Sequence, residues 1–144
     1  MPSRRRAREI ALQSLYQIEV NPESGTERLE GFLQGRLRAV ALVDFARTIV
    51  EGVLAERAAI DTQLDSRSEH WRVSRMAATD RAVLRIAAFE ILHTDVPGPV
   101  AVNEAIELAR RYGTAASPRF VAGILGRLLA DRDGLSAGTP AAAS

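Results

Sequence analysis

Hydrophobic residues along the chain recur at spacings of three and four residues, and no segment shows the alternation of a half-buried strand. The helix predicted at residues 79–93 is apolar on most sides, which is typical of the centre of a bundle. We expect Gly113 to end the next helix in a left-handed conformation. The pattern predicts seven helices, at residues 4–20, 26–37, 40–57, 58–68, 79–93, 100–112 and 117 to about 131.

These elements fit a single domain. The chain has 144 residues, of which 47% are hydrophobic, and this is enough to bury a core. We therefore predict an all-α fold, with a domain of about seven helices over residues 1–132. Small and polar residues dominate residues 133–144, which we expect to form a disordered C-terminal tail.

The composition argues against several classes of protein. There is no cysteine, which excludes disulfides, thiol catalysis and cysteine-bound metal. No apolar run approaches the roughly 20 residues of a membrane span, and no secretory signal follows the first arginines. Phosphate-loop, serine-hydrolase and zinc-protease motifs are absent, and the two histidines, His70 and His93, stand alone. We predict a cytoplasmic protein that is not an enzyme and has no cofactor.

Positive charge is concentrated at the N-terminus. Residues 1–17 contain four arginines and one glutamate, a local charge of +3, whereas the whole chain carries +1. The formal charges of the remaining residues therefore sum to −2. A basic patch on a nearly neutral body indicates an anionic partner such as a nucleic acid.

The first predicted helix combines three kinds of side chain on one face. At 100° per residue, Arg5, Arg8 and Tyr16 fall on one stripe, with Gln13 and Arg6 beside it. Arginine binds phosphate, an aromatic ring stacks on a base, and an amide can read a base edge, which suits single-stranded RNA. The alternative is a solvated arginine face with Tyr16 half-buried in packing, and on this helix alone the two interpretations weigh evenly.

Two other helices carry candidate contact residues. Arg119 and Phe120 lie in the first turn of the last helix, where free N–H groups can bind a phosphate, although phenylalanine more often belongs to a core. Arg81 and Arg85 line one side of the central helix. They could form a protein contact surface, or their stems could simply cover aliphatic surface. We expect Trp71 to cap a small hydrophobic cluster.

Three segments together resemble the NusB family of bacterial transcription antitermination factors. They are Arg4–Tyr16, Asp80–Glu90 and Val100–Gly123, and the order and spacing match from residue 4 to about residue 130. The resemblance implies an all-helical domain of two packed bundles. It also implies binding to the boxA sequence of ribosomal RNA leader transcripts together with NusE, a small-subunit ribosomal protein. The pair would join other factors on RNA polymerase and suppress premature termination.

Carried over residue by residue, the resemblance implies two binding surfaces. The partner surface for NusE would include Asp80, Arg81 and Arg85. The chain departs from the family at Ala116 and Ala122, near the RNA edge. The RNA surface would consist of Arg4, Arg5, Arg6, Arg8, Gln13, Tyr16, Arg119 and Phe120.

Two alternatives remain open from the sequence. The first is a helical protein-interaction or homodimer module whose arginines are incidental. The second is a detached RNA-binding module of the type that precedes the catalytic domain of some RNA cytosine methyltransferases. Salt-independent partner binding would favour the first, and methyl transfer to RNA would favour the second.

Overall fold

The computed structural model describes residues 3–143, with side chains described as far as residue 134. Within that part, six α-helices and one short 3-10 helix are joined by short turns and loops. No strand occurs in that part, which confirms the all-α prediction, and the helix count is close to the seven predicted. The 3-10 helix covers Val73–Arg75. The α-helices are α1 Arg4–Val20, α2 Pro22–Arg36, α3 Val40–Asp65, α4 Ala78–His93, α5 Gly98–Tyr112 and α6 Ser117–Ala143.

Helix α3 replaces two predicted helices, and the predicted break between residues 57 and 58 was wrong. The segment around the expected break contains alanines, a glutamate and an arginine, all of which favour helix, and neither glycine nor proline. The apolar positions on both sides of it, Val53 and Ile60, are seven residues apart and both buried. They therefore continue one helical face.

The turn between α1 and α2 is tighter than predicted. Pro22, expected to belong to a loop, is the first residue of α2, a position where its missing N–H leaves no bond unmade. Gly25 then passes directly over α1. A Cβ on Gly25 would lie 2.7 Å from the Cα of Ile18, so a side chain there would force the helices apart.

Helix α4 occupies the centre of the molecule, as its apolar pattern predicted. It packs against four other helices, α1, α3, α5 and α6. Nine of its residues are buried, including one charged residue, Glu90. Helix α3 approaches α4 closely at Gly52, where an added Cβ would lie 2.2 Å from the ring of Phe89.

Gly113 ends α5, but not in the expected left-handed conformation. Its φ is −96° and its ψ is −161°, which is extended backbone. The glycine is required by space instead, because an added Cβ would lie 2.4 Å from the Oγ of Ser117. That hydroxyl accepts a 2.9 Å hydrogen bond from the backbone N–H of Thr114 and so fixes the turn into α6.

The C-terminal segment continues the backbone of α6. The helix extends to Ala143, through most of the segment for which the sequence predicts a disordered tail, and Ser144 lies outside the described residues. The disorder of this tail stays a prediction. Among the described residues, no helix is long and apolar enough to cross a membrane.

Candidate nucleic-acid interface

The first turn of α1 presents three arginines at the surface. Ser3 caps the helix by accepting a hydrogen bond from the backbone N–H of Arg6. Arg4 lies 4.6 Å above the ring of Phe45, and Arg5 and Arg6 extend towards solvent. The helix start therefore exposes all three arginines, with Arg4 packed on α3 and Arg5 in contact with α5; RNA binding by these residues stays a prediction.

Arg5 is tied to α5 without being covered. Its Nε and Nη2 donate to the two carboxylate oxygens of Glu104 at 2.9 and 3.1 Å, and its side chain remains 59% exposed. The hydrogen bond and charge of Glu104 raise the pKa of Arg5 above its ordinary value. This contact holds the guanidinium in place while leaving part of its fork open to solvent.

Arg8 does not belong to this surface, and its predicted place on the RNA edge was wrong because the residue is buried. The residue is only 4% exposed. Its Nε and Nη2 donate to the carboxylate of Glu90 at 2.8 and 2.7 Å, and its guanidinium lies 5.0 Å from the ring of Phe45. Arg8 thus joins α1 to α4 inside the protein, where an unpaired charge would be strongly destabilising.

Farther along α1, Tyr16 borders an open groove. The side chain of Tyr16 is 45% exposed, and that of Gln13 is partly exposed beside it. We call this depression, of about 360 Å³, the tyrosine groove. An aromatic ring and an amide at one open depression are able to stack on a base and hydrogen-bond to its edge. Its lining residues are Leu12, Gln13, Tyr16, Gln17, Phe32, Arg36, Thr79 and Tyr112.

A buried carboxylate links this groove to the first turn of α1. Glu9 accepts a hydrogen bond from the Tyr112 hydroxyl at 3.0 Å and forms an ion pair with Arg111, whose Nη1 lies 2.8 Å away; Nη1 of Arg6 lies at 3.5 Å. Burial and the hydrogen bond to Glu9 raise the pKa of Tyr112, while Arg111 and Gln13 act in the opposite direction. The sequence interpretation missed this cluster, because Glu9 lies on α1 and meets Arg111 and Tyr112 of α5 only in the folded protein.

A second depression, which we call the tryptophan groove, lies where α4 and α6 begin. It measures about 270 Å³, and Phe120 lines it rather than being fully buried in the core. Trp71 is 56% exposed, so the expected cap over a hydrophobic cluster was wrong. Oδ1 of Asp80 is buried here, with no hydrogen-bond partner among the described residues. Trp71, Arg75, Met76, Ala77, Asp80, Thr114, Ala116, Ser117 and Phe120 line the groove.

The two grooves are neighbours. Thr79 and Tyr112 line the first, while Asp80 and Thr114, one and two residues farther along the chain, line the second. Arg119 is exposed in the first turn of α6. One side of the molecule therefore combines exposed arginines with two depressions that contain aromatic rings. No cluster of three potential metal ligands occurs among the described residues.

Arg81 and Arg85, the other predicted partner residues, already have partners within the chain. Nε of Arg81 donates to Glu19 at 2.8 Å. Arg85 forms a two-pronged pair with Asp61, with both hydrogen bonds at 2.8 Å. Each arginine side chain is 14% exposed. Binding of NusE to this part of α4 stays a prediction, but these two guanidinium groups offer little free charge for it.

Comparison with known proteins gives one consistent family. The NusB family model matches residues 5–130. The transcription antitermination protein NusB of Anaeromyxobacter dehalogenans is 46% identical over 130 residues, which cover 89% of this chain and 92% of that protein. The structure of T. maritima NusB has 36% identity and a TM-score of 0.78, covering 89% of this chain and 91% of that one.

A more distant structure shares the fold. In the crystal structure of antitermination factors NusB and NusE in complex with dsRNA, the matching chain has a TM-score of 0.78 at 19% identity. The match covers 88% of this chain and 95% of that one. The family model spans all six helices up to residue 130, and the first of these relatives is 46% identical over nearly the same length. The chain therefore belongs to the NusB family.

Proposed function

We propose that this protein is a transcription antitermination factor that binds boxA-type single-stranded RNA of ribosomal RNA leader transcripts together with NusE. It would assemble with NusE on RNA polymerase in the cytoplasm and suppress premature termination. It acts by binding, and makes or breaks no bond itself. Two findings support the proposal: the relatives are named antitermination proteins, and a chain of the same fold occurs in a complex with NusE and RNA.

The exposed edge of α1 carries the proposal. Arg4, Arg5 and Arg6 supply positive charge at one end of it, and Gln13 and Tyr16 border a groove farther along the helix. Phosphate contacts would provide most of the affinity, while ring stacking and amide hydrogen bonds would provide base preference.

The carboxylates beside these arginines do not prevent phosphate binding. The pair of Arg5 with Glu104 involves an exposed arginine, and solvent weakens such pairs. A guanidinium has five N–H donors, so one that is bound through two of them keeps others for a phosphate. The carboxylates therefore orient Arg5 and Arg6 and leave N–H donors of both exposed to solvent.

The partner surface is proposed on α4, at Asp80, Arg81 and Arg85. Because both arginines are paired within the chain, their contribution to NusE binding would come from packing along their stems rather than from free charge. Charge reversal at Arg85 would break its pair with Asp61 and so perturb the fold. Asp80 is the better probe of this surface.

Substitution of Tyr16 tests the RNA edge. Tyr16→Ala should weaken binding to a short boxA-type RNA by about 1–3 kcal/mol, the usual contribution of a stacked base, without changing helicity. Tyr16→Phe is the matched control, because it keeps the ring and should retain most of the affinity. Equal RNA affinity of the alanine variant and the wild type would count against stacking.

The wild-type titration separates the proposed function from its rivals. Affinity should fall with added salt, because arginine–phosphate contacts release counterions, and NusE should strengthen binding. Salt-independent binding to NusE with no RNA binding would favour a protein-interaction module. A concentration-dependent increase in mass without either ligand would favour the homodimer.

A further inference from the structure

We propose that Arg111 extends the RNA-binding edge from α1 onto α5, and that Glu9 is the positioning residue that holds Arg111 beside Arg6 for the phosphates of the strand. The inference rests on the proposed function and adds two residues to it. The resemblance to the family assigns a role to neither residue.

Glu9 is the anchor of a polar cluster built from two helices. The residue is 5% exposed, and three groups surround its carboxylate: Nη1 of Arg111 at 2.8 Å, the Tyr112 hydroxyl at 3.0 Å and Nη1 of Arg6 at 3.5 Å. A buried carboxylate with this many donors is fixed in position. It therefore holds Nη1 of Arg111 in close contact and attracts Nη1 of Arg6 from a longer distance.

The far ends of the same guanidinium groups are open. The Arg111 side chain is 65% exposed and that of Arg6 is 39% exposed. Two arginines share one carboxylate, so the cluster keeps a net charge of +1 at the surface. Free N–H donors and surplus positive charge, pre-arranged by a rigid anchor, are suited to a phosphate group.

The cluster continues directly into the tyrosine groove. Tyr112 donates to Glu9 at one end and lines the groove together with Gln13 and Tyr16 at the other. A strand whose base lies against Tyr16 would therefore run with a neighbouring phosphate towards Arg6 and Arg111. This continuity makes RNA, rather than an isolated anion, the ligand that fits the cluster.

Arg110 provides a matched control. Both arginines lie in the last turn of α5, where either would interact favourably with the helix dipole. Arg110 is 59% exposed, but it pairs with Glu107 on its own helix and not with Glu9. A role of Arg111 in helix stability alone would thus be shared by Arg110, whereas a role in RNA binding would not.

The experiment measures affinity for a boxA-type single-stranded RNA by fluorescence anisotropy at several salt concentrations. Loss of one phosphate contact reduces the slope of log K against log salt by about 0.7 for a single strand. Arg111→Gln should therefore bind more weakly at low salt and lose about 2.5-fold less affinity than the wild type over a fourfold rise in salt. Arg110→Gln should keep the wild-type slope. The same slope change in both variants, or in neither, would overturn the inference.

Whether Glu9→Gln strengthens or weakens RNA binding tests the positioning role of Glu9. Removal of a negative charge next to an RNA strand should strengthen binding if charge alone matters. If Glu9 positions the two arginines, the variant should instead bind RNA more weakly, and tighter binding would refute this role. Should Glu9→Gln unfold, Tyr112→Phe offers a milder change, because it removes one hydrogen bond from the carboxylate. This variant should reduce RNA affinity by a smaller factor, and unchanged affinity would count against positioning.

Absence of RNA binding by the wild type would remove the proposed function itself, whereas binding unaffected by Arg111→Gln would remove only this inference.

Discussion

Substitution of the buried ion pair between Arg8 and Glu90 tests whether Arg8 acts inside the protein and not at its surface. The two side chains are 5% and 1% exposed, and two hydrogen bonds of 2.8 and 2.7 Å join them. Removal of one member leaves the other charged and buried, which destabilises a protein by about 3–5 kcal/mol. Arg8→Met and Glu90→Met should each lower the free energy of unfolding by that amount.

The double variant should behave differently from the sum of the two single variants. With both charges replaced by apolar side chains of similar volume, no buried charge is left unpaired, and such replacements are often neutral or stabilising. We therefore expect the double variant to lie close to the wild type, with a coupling energy above about 3 kcal/mol. Urea unfolding followed by circular dichroism measures all four proteins. Additive losses, or single losses below about 1 kcal/mol, would refute the pairing argument.

The same double variant separates structure from RNA binding. Because Arg8 is inside the protein, the folded double variant should bind boxA-type RNA as tightly as the wild type. A large loss of RNA affinity in a stable double variant would return Arg8 to the binding surface and contradict its place in the core.

Two further predictions concern packing and pH. Gly52→Ala should lower the free energy of unfolding by about 1–3 kcal/mol, since the added Cβ would lie 2.2 Å from the ring of Phe89. Gly31→Ala, with nothing within 4 Å of its Cβ, should instead raise the free energy of unfolding by up to about 1 kcal/mol. Thermal unfolding compares the two variants, and equal shifts would contradict the close approach of α3 and α4. Hydrogen bonds from Arg47 lower the pKa of Glu30 from 4.5 to about 2, so the stability that this pair contributes is complete above pH 4.5 and is lost as the pH falls towards 2. Glu30→Gln should show a smaller loss over that interval, and parallel pH profiles would contradict the shift.

The helices could be predicted from the sequence because their causes are local. Apolar residues at helical spacing, together with prolines and glycines between segments, located all six α-helices. The errors also have local causes: Pro22 begins a helix as easily as it ends a loop, and the stretch between Val53 and Ile60 contains no residue that breaks a helix. Gly113 was recognised as a helix end for the wrong reason, since close contact with Ser117 and not a left-handed backbone requires it.

The site could be predicted only in part, because charges are distributed by contacts between distant residues. Arg8 and Glu90 are 82 residues apart, and nothing within α1 shows that they meet. One signal was available: a glutamate within an otherwise apolar central helix must find a partner. No comparable signal marked Arg111, because an exposed arginine does not require a partner within the chain.

A map of the RNA contact surface tests whether the exposed side of α1 binds RNA. In a titration of the isotopically labelled protein with boxA-type RNA, amide and side-chain resonances should shift at Arg5, Arg6, Gln13 and Tyr16, and around Arg111 if the further inference holds. Resonances of residues 55–59, an exposed stretch of α3, should remain in place. Shifts centred on α3, or no shifts on α1, would contradict the account.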